Sequence, residues 1–122
     1  MEKMTKRESD VMDIFWQNMD TELSASEIMK LSDGLSIYTI QQVIRNLLER
    51  NMIVVSEIVT YKKALTRKYK PTCTRAEYIK RTVDDKTMTD LAMAFVSGSD
   101  DKKTLDTLKK MIQARQNELK GK

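Results

Sequence analysis

The sequence predicts a mainly α fold with one small β-hairpin, and three observations carry that expectation. Hydroxyl residues stand three positions ahead of glutamates at Thr5 and Glu8, Ser24 and Glu27, and Thr74 and Glu77. In such a pair each side chain satisfies an orphan backbone N–H at a helix start. A run of β-branched residues, Ile53, Val54, Val55, Ile58, Val59 and Thr60, interrupts the helical pattern and favours a strand. Apolar residues then return at helical spacing as far as Leu119.

The first helix is expected over residues 6–19, with Val11, Met12, Phe15, Trp16 and Met19 on one apolar face. Trp16 and Phe15 read as its core side. A short second helix over residues 25–32 presents Ile28, Met29 and Leu31 before Asp33 and Gly34 break the chain. Ser36 caps a third helix over residues 37–50, which buries Ile40, Val43, Ile44, Leu47 and Leu48. The β-branched strand follows Asn51. Residues 66–70 form its returning partner, Tyr61 to Ala64 the tip, and Pro71 stops the pairing. Tyr69 reads as cross-strand packing. Thr74 opens a long fourth helix over residues 75–97, and Gly98 suits its C-terminal cap. A last helix carries Leu105, Leu108, Met111, Ile112 and Leu119, with Asp100 and Asp101 at its positive end. Three helices and then a hairpin is the order of a winged helix-turn-helix, here followed by a two-helix arm. The expected domains are residues 1–73 for the winged helix-turn-helix and residues 74–122 for a helical dimerisation region.

Composition narrows the function classes. Of the 122 residues, 40% are apolar and 33% charged, a globular balance. There is no histidine, which removes the commonest general base and metal ligand. Cys73 is the one cysteine, so a zinc site and an internal disulfide are both out of reach, and a reducing cytoplasm fits. Three scattered glycines make no phosphate-cradling loop. The expectation is a protein that is not an enzyme, has no cofactor or metal, and is not inserted in a membrane. Of its net charge of +4, residues 58–81 hold +7, from Lys62, Lys63, Arg67, Lys68, Lys70, Arg75, Lys80 and Arg81 against Glu77, so −3 remains for the rest. Such a patch suits a polyanion; it equally suits a solvated hairpin whose lysines protect a sheet edge.

The third helix adds direction. Its polar face carries Tyr38, Thr39, Gln41, Gln42, Arg45, Asn46 and Glu49, rich in short hydrogen-bonding groups at its start and poor in the Glu/Lys pairs of an ordinary exposed helix. Gln can bond adenine twice, Thr can touch a thymine methyl, and Arg can reach guanine or phosphate. Lys62, Lys63, Arg67 and Lys68 on the hairpin would hold the DNA backbone without reading sequence. The expected dimerisation residues are Ile79, Val83, Leu91, Phe95, Leu105, Leu108 and Ile112, whose stripes two helices cannot cover alone.

Glu8 to Trp16, Tyr38 to Arg50, and Tyr69 to Pro71 followed by Arg75 to Ile79 occur in an order that resembles the penicillinase-repressor family of winged-helix transcriptional regulators. The resemblance spans nearly the whole chain. It implies a homodimeric repressor on inverted repeats in promoters. For the family's β-lactam branch it also implies release by a membrane sensor and protease system that cuts the arm beside a Phe. The matching residues are Ala94 and Phe95, with Ala94 where that branch has Asn. The copper-responsive branch has paired Cys-x-Cys motifs, and this chain has none. The expected function is therefore a sequence-specific repressor on double-stranded operator DNA, controlling genes of the β-lactam-resistance type. The alternatives are a non-specific architectural winged helix, and a winged helix that binds protein.

Overall fold

The computed structural model describes residues 3–121. Helix α1 (Lys6–Gln17) begins at the Thr5 and Glu8 capping box, and α2 (Ala25–Leu31) at that of Ser24 and Glu27. Both carboxylates accept the cap residue's N–H, at 2.8 and 3.0 Å. Strand β1 (Leu23–Ser24) lies just ahead of α2, and Ser36 caps α3 (Ile37–Glu49). Asn51 ends the helical run in the left-handed region, φ 58°, a conformation Asn tolerates better than most residues. Strands β2 (Ile53–Tyr61) and β3 (Ala64–Pro71) form the hairpin, and the sheet order is β1-β3-β2, all antiparallel. Then come α4 (Arg75–Thr82), α5 (Asp85–Gly98) and α6 (Lys102–Lys120). The expected class holds: mainly α, with a small sheet in a winged arrangement.

The chain divides into two compact units, residues 1–82 and 83–122. The core of the first comes from the predicted stripes: Val11, Met12 and Phe15 of α1, Ile28 of α2, and Ile40 and Leu47 of α3 are fully or almost fully enclosed, closed over by Ile53 and Tyr69 of the sheet. Tyr69 is cross-strand packing as expected, opposite Leu23 and Val55. The second unit has no buried residue in either helix.

The structure corrects several expectations. The long fourth helix is two helices. At the end of α4 the Thr82 hydroxyl donates to the carbonyls of Tyr78 and Ile79, and the Asp84 carboxylate then accepts the Thr87 N–H and starts α5. A cap of that kind satisfies N–H groups that a continuous helix would have paired internally, so the chain breaks there at little cost. Helix α4 therefore packs with the N-terminal unit. Gly98 is the last residue of α5 and has no positive φ; Ser99 is the cap. Pro71 does not stop the pairing but ends it from inside, opposite Ile53, at a strand terminus where a missing N–H is tolerated. Helix α1 stops at Gln17, because the Asn18 amide donates to the Ile14 carbonyl at 2.7 Å, and this leaves Met19 outside the helix and exposed. Leu31 is also exposed rather than core.

Candidate nucleic-acid interface

Two short helices at a tight turn position α3. The turn holds because Gly34 takes φ 77°, and because the Ser32 hydroxyl donates to the Met29 carbonyl while accepting the Leu35 N–H. Ile40, Val43, Ile44 and Leu47 fix the inner side of α3 in the core, so the helical period turns Tyr38, Gln41, Gln42 and Arg45 outward. Tyr38 is 79% exposed, and Thr39 is half-buried, its hydroxyl accepting from Ser36 at 3.0 Å.

Along this outer face the side chains hold one another. Arg45 donates to the Gln42 carbonyl oxygen at 2.8 Å, and the Gln42 amide donates to Asn46 at 3.1 Å. The Gln42 carboxamide thus has its acceptor and its donor both engaged along the helix surface. No acid lies in the first turn of α3 or of α6, whereas Glu8, Glu27, Glu77 and Asp85 occupy those of α1, α2, α4 and α5.

The hairpin places Arg67 beside this face. Its tip is a two-residue turn, with Lys62 at φ 48° and Lys63 at φ 66°. Two consecutive left-handed residues match the twist of a hairpin, but Asn and Gly adopt that geometry far more readily than Lys. Tyr61 and Ala64, expected in the tip, pair across it instead. The Lys62 ammonium lies 5.4 Å from the Tyr61 ring centre. Arg67 and Gln41 line the same two clefts between hairpin and helices, one completed by Ile58, Leu65 and Thr66, the other by Ile44, Arg45 and Leu48. Helix and hairpin thereby present one continuous surface. Among the described residues no ion pair engages Lys62, Lys63 or Arg67.

Lys68 stands apart from the other hairpin cations. It is half-buried, and its ammonium lies 3.4 Å from Glu27. The Ser24 N–H, the Ser24 hydroxyl and the Lys68 cation hold the Glu27 carboxyl below its ordinary range, with burial opposing them. Ser24 has two jobs, capping α2 and pairing with Lys68 in the sheet. The pair therefore ties the hairpin base to the start of α2. Sequence reasoning missed this, because the two residues of β1 carry no strand pattern.

The expected arm residues fall in both units. Ile79 lies on α4 and is 36% exposed; Leu91, Phe95 and Ile112 are about half exposed, and Val83, Leu105 and Leu108 are half-buried. Val96, Leu105, Leu108 and Ile112 border one apolar groove on the second unit. Ala94 and Phe95 lie inside α5.

A turn-linked pair of helices with a basic hairpin alongside defines a winged helix-turn-helix, a class of DNA-binding domain. The family model of the penicillinase repressors matches residues 4–116, and the chain belongs to that family. It is accordingly a DNA-binding transcriptional repressor, from a family of regulators and not of enzymes. No curated protein matches the chain closely enough to count as a relative. Among the described residues no helix is long and apolar enough to cross a membrane.

Proposed function

We propose that the protein acts in the cytoplasm as a homodimer on an inverted-repeat operator, repressing genes of the β-lactam-resistance type. In each copy Tyr38, Thr39, Gln41, Gln42 and Arg45 read one half-site in the major groove, and Lys62, Lys63, Arg67 and Lys68 hold the flanking phosphates. For Lys68 this means sharing its cation with Glu27. The observation that supports the reading is that Arg67 of the hairpin and Gln41 of α3 line the same two clefts, with Arg45 bordering the second. Phosphate contacts then set position and base contacts set sequence.

Dimerisation is assigned to residues 74–122, through Ile79, Val83, Leu91, Phe95, Leu105, Leu108 and Ile112. The support is physical: α5 and α6 bury nothing on their own, and half-exposed Leu, Phe and Ile side chains gain by leaving water. Repression ends when a membrane sensor and protease system cuts the arm near Ala94 and Phe95. The cut removes α6 and part of the apolar surface, so the second half-site is no longer bound intramolecularly.

Footprinting on the DNA upstream of the protein's own gene, combined with sedimentation of the free protein, tests the reading. A bounded footprint over two symmetric half-sites and a dimeric sedimentation coefficient are expected. Protection without boundaries would favour the non-specific reading that the basic hairpin alone supports. Mass spectrometry of the protein from induced cells tests the cut: intact chain alongside full derepression would exclude it.

A further inference from the structure

The hairpin carries an apolar surface that the core leaves uncovered. Strand β1 pairs with β3 only at Tyr69 and Lys68, so toward the tip β2 and β3 stand as two strands alone. Side chains alternate between faces along a strand, which sets Leu65, Arg67 and Tyr69 of β3 on one face. Tyr69 is buried and closes the core, but the face runs on past it. There Ile58, opposite Arg67, is 57% exposed, and Leu65 is 77% exposed. Both border the cleft that Arg67 shares with Gln41 of α3.

The surroundings indicate what covers this surface. From residue 58 to residue 70 the chain has the cations Lys62, Lys63, Arg67, Lys68 and Lys70 and no carboxylate. No acid borders either cleft that Arg67 lines, and among the described residues no ion pair engages Arg67. Phosphates alone would satisfy the cations but would leave Ile58 and Leu65 in water. The fitting partner is a polyanion that also offers apolar area. A DNA duplex is one, with phosphates at the rim of its minor groove and sugars and stacked bases inside.

We propose that Leu65 and Ile58 form an apolar wedge that enters the minor groove beside each half-site and makes the deformability of the flanking base steps part of recognition. The proposal rests on the reading of α3 in the major groove given above. Arg67 and the tip lysines hold the phosphates that border the groove, and the wedge presses between the base steps they frame. Such insertion partly unstacks a step and kinks the duplex by about 20–90°. Pyrimidine–purine steps, TA and CA/TG, yield most easily. Leu65 and Ile58 are then specificity-determining residues that bond no base edge; what they select is a low cost of bending.

The test uses the full chain and duplexes that keep one half-site constant while the flanking steps vary. The wild type should favour flanks holding a TA or CA/TG step over flanks holding none, by on the order of tenfold. It should also bend the favoured duplexes by about 20° or more, read by fluorescence energy transfer between the duplex ends. I58T/L65T removes the wedge, keeps β-branched residues that suit a strand, and leaves every cation in place. Its flank preference should fall below about twofold and its bend should disappear, while preference within the half-site and the salt slope stay as in the wild type. A merely structural role for the two side chains would instead weaken all duplexes alike. If thermal melts show that the double variant is unfolded, L65T alone takes its place with the same outcomes. A folded variant with the wild-type flank preference and bend would overturn the proposal and leave the patch to a protein partner. Wild-type protein that binds all flanks alike would also overturn it. Wild-type protein that shows no preference for the half-site itself would instead overturn the reading of α3 underneath.

Discussion

Glu8→Ala is the sharpest test of how the DNA-binding unit is held together. Glu8 is only 4% exposed, and one carboxylate oxygen accepts both the Thr5 N–H at 2.8 Å and the Arg50 guanidinium at 3.1 Å. It joins the start of α1 to the residue that ends α3. Each hydrogen bond to a charged group contributes about 1.5–3 kcal/mol, and the loss of a cap costs about 1 kcal/mol. Breaking a fully buried pair costs about 3–5 kcal/mol, but the Arg50 side chain is 22% exposed and can recover solvation. The expected loss is therefore about 2–3 kcal/mol, below the sum of these figures. For a unit of this size that lowers the melting temperature by about 10–20 °C. Circular dichroism melts at neutral pH read it directly. The pH dependence is a second check. Burial works to raise the Glu8 carboxyl, but the Thr5 hydrogen bonds and Arg50 outweigh it and hold the group below its ordinary value of 4.5. A carboxyl lowered on folding stabilises fully above the unfolded value, and the contribution disappears as pH falls through the folded one. The gap between wild type and Glu8→Gln should hold near neutrality and close in acid. Wild-type melting of Glu8→Ala at neutral pH, or a gap that widens in acid, would refute the reasoning.

Three further outcomes are expected. Lys62→Asn with Lys63→Gly should relieve the left-handed turn and leave the hairpin at least as stable, while weakening all duplexes alike; the salt slope should fall by about 0.9 for each phosphate no longer neutralised. Gln42→Ala should relax preference at particular base pairs, by about 1–3 kcal/mol for each base edge it ceases to bond, and leave the salt slope unchanged; a selection across randomised half-sites reads this. Leu108→Asp should sediment as a monomer and lose on the order of 10²-fold affinity for a paired site, with half-site binding intact.

The three hydroxyl and glutamate pairs were legible because capping is local: each needs only a turn of chain to form, and each does form, at Thr5, Ser24 and Thr74. The α3 core face was legible for the same reason, from its period. The break after Thr82 was half legible. Asp84 stands three residues before Thr87, but the apolar stripe from Ile79 through Val83 to Leu91 runs on across the gap and masks the cap. Strand β1 was not legible at all. Leu23 and Ser24 become a strand only because β3 offers them Tyr69 and Lys68, a long-range pairing with no local signature. Trp16 illustrates the limit for the site. Its place on the inner side of α1 follows from the period, but the acceptor of its N–H is the Cys73 carbonyl, 57 residues away. Backbone acceptors leave no trace in side-chain pattern.

The central claim, that α3 reads base sequence while the hairpin supplies the cations, is tested most directly by one titration. Full-length protein is titrated with its footprinted operator and with an unrelated duplex of equal length, over a range of salt. Discrimination of about 10³-fold or more is expected, since base contacts add to the phosphate contacts common to both duplexes. Affinity for both duplexes should fall steeply as salt rises. Equal affinity for the two duplexes at every salt concentration would contradict the claim.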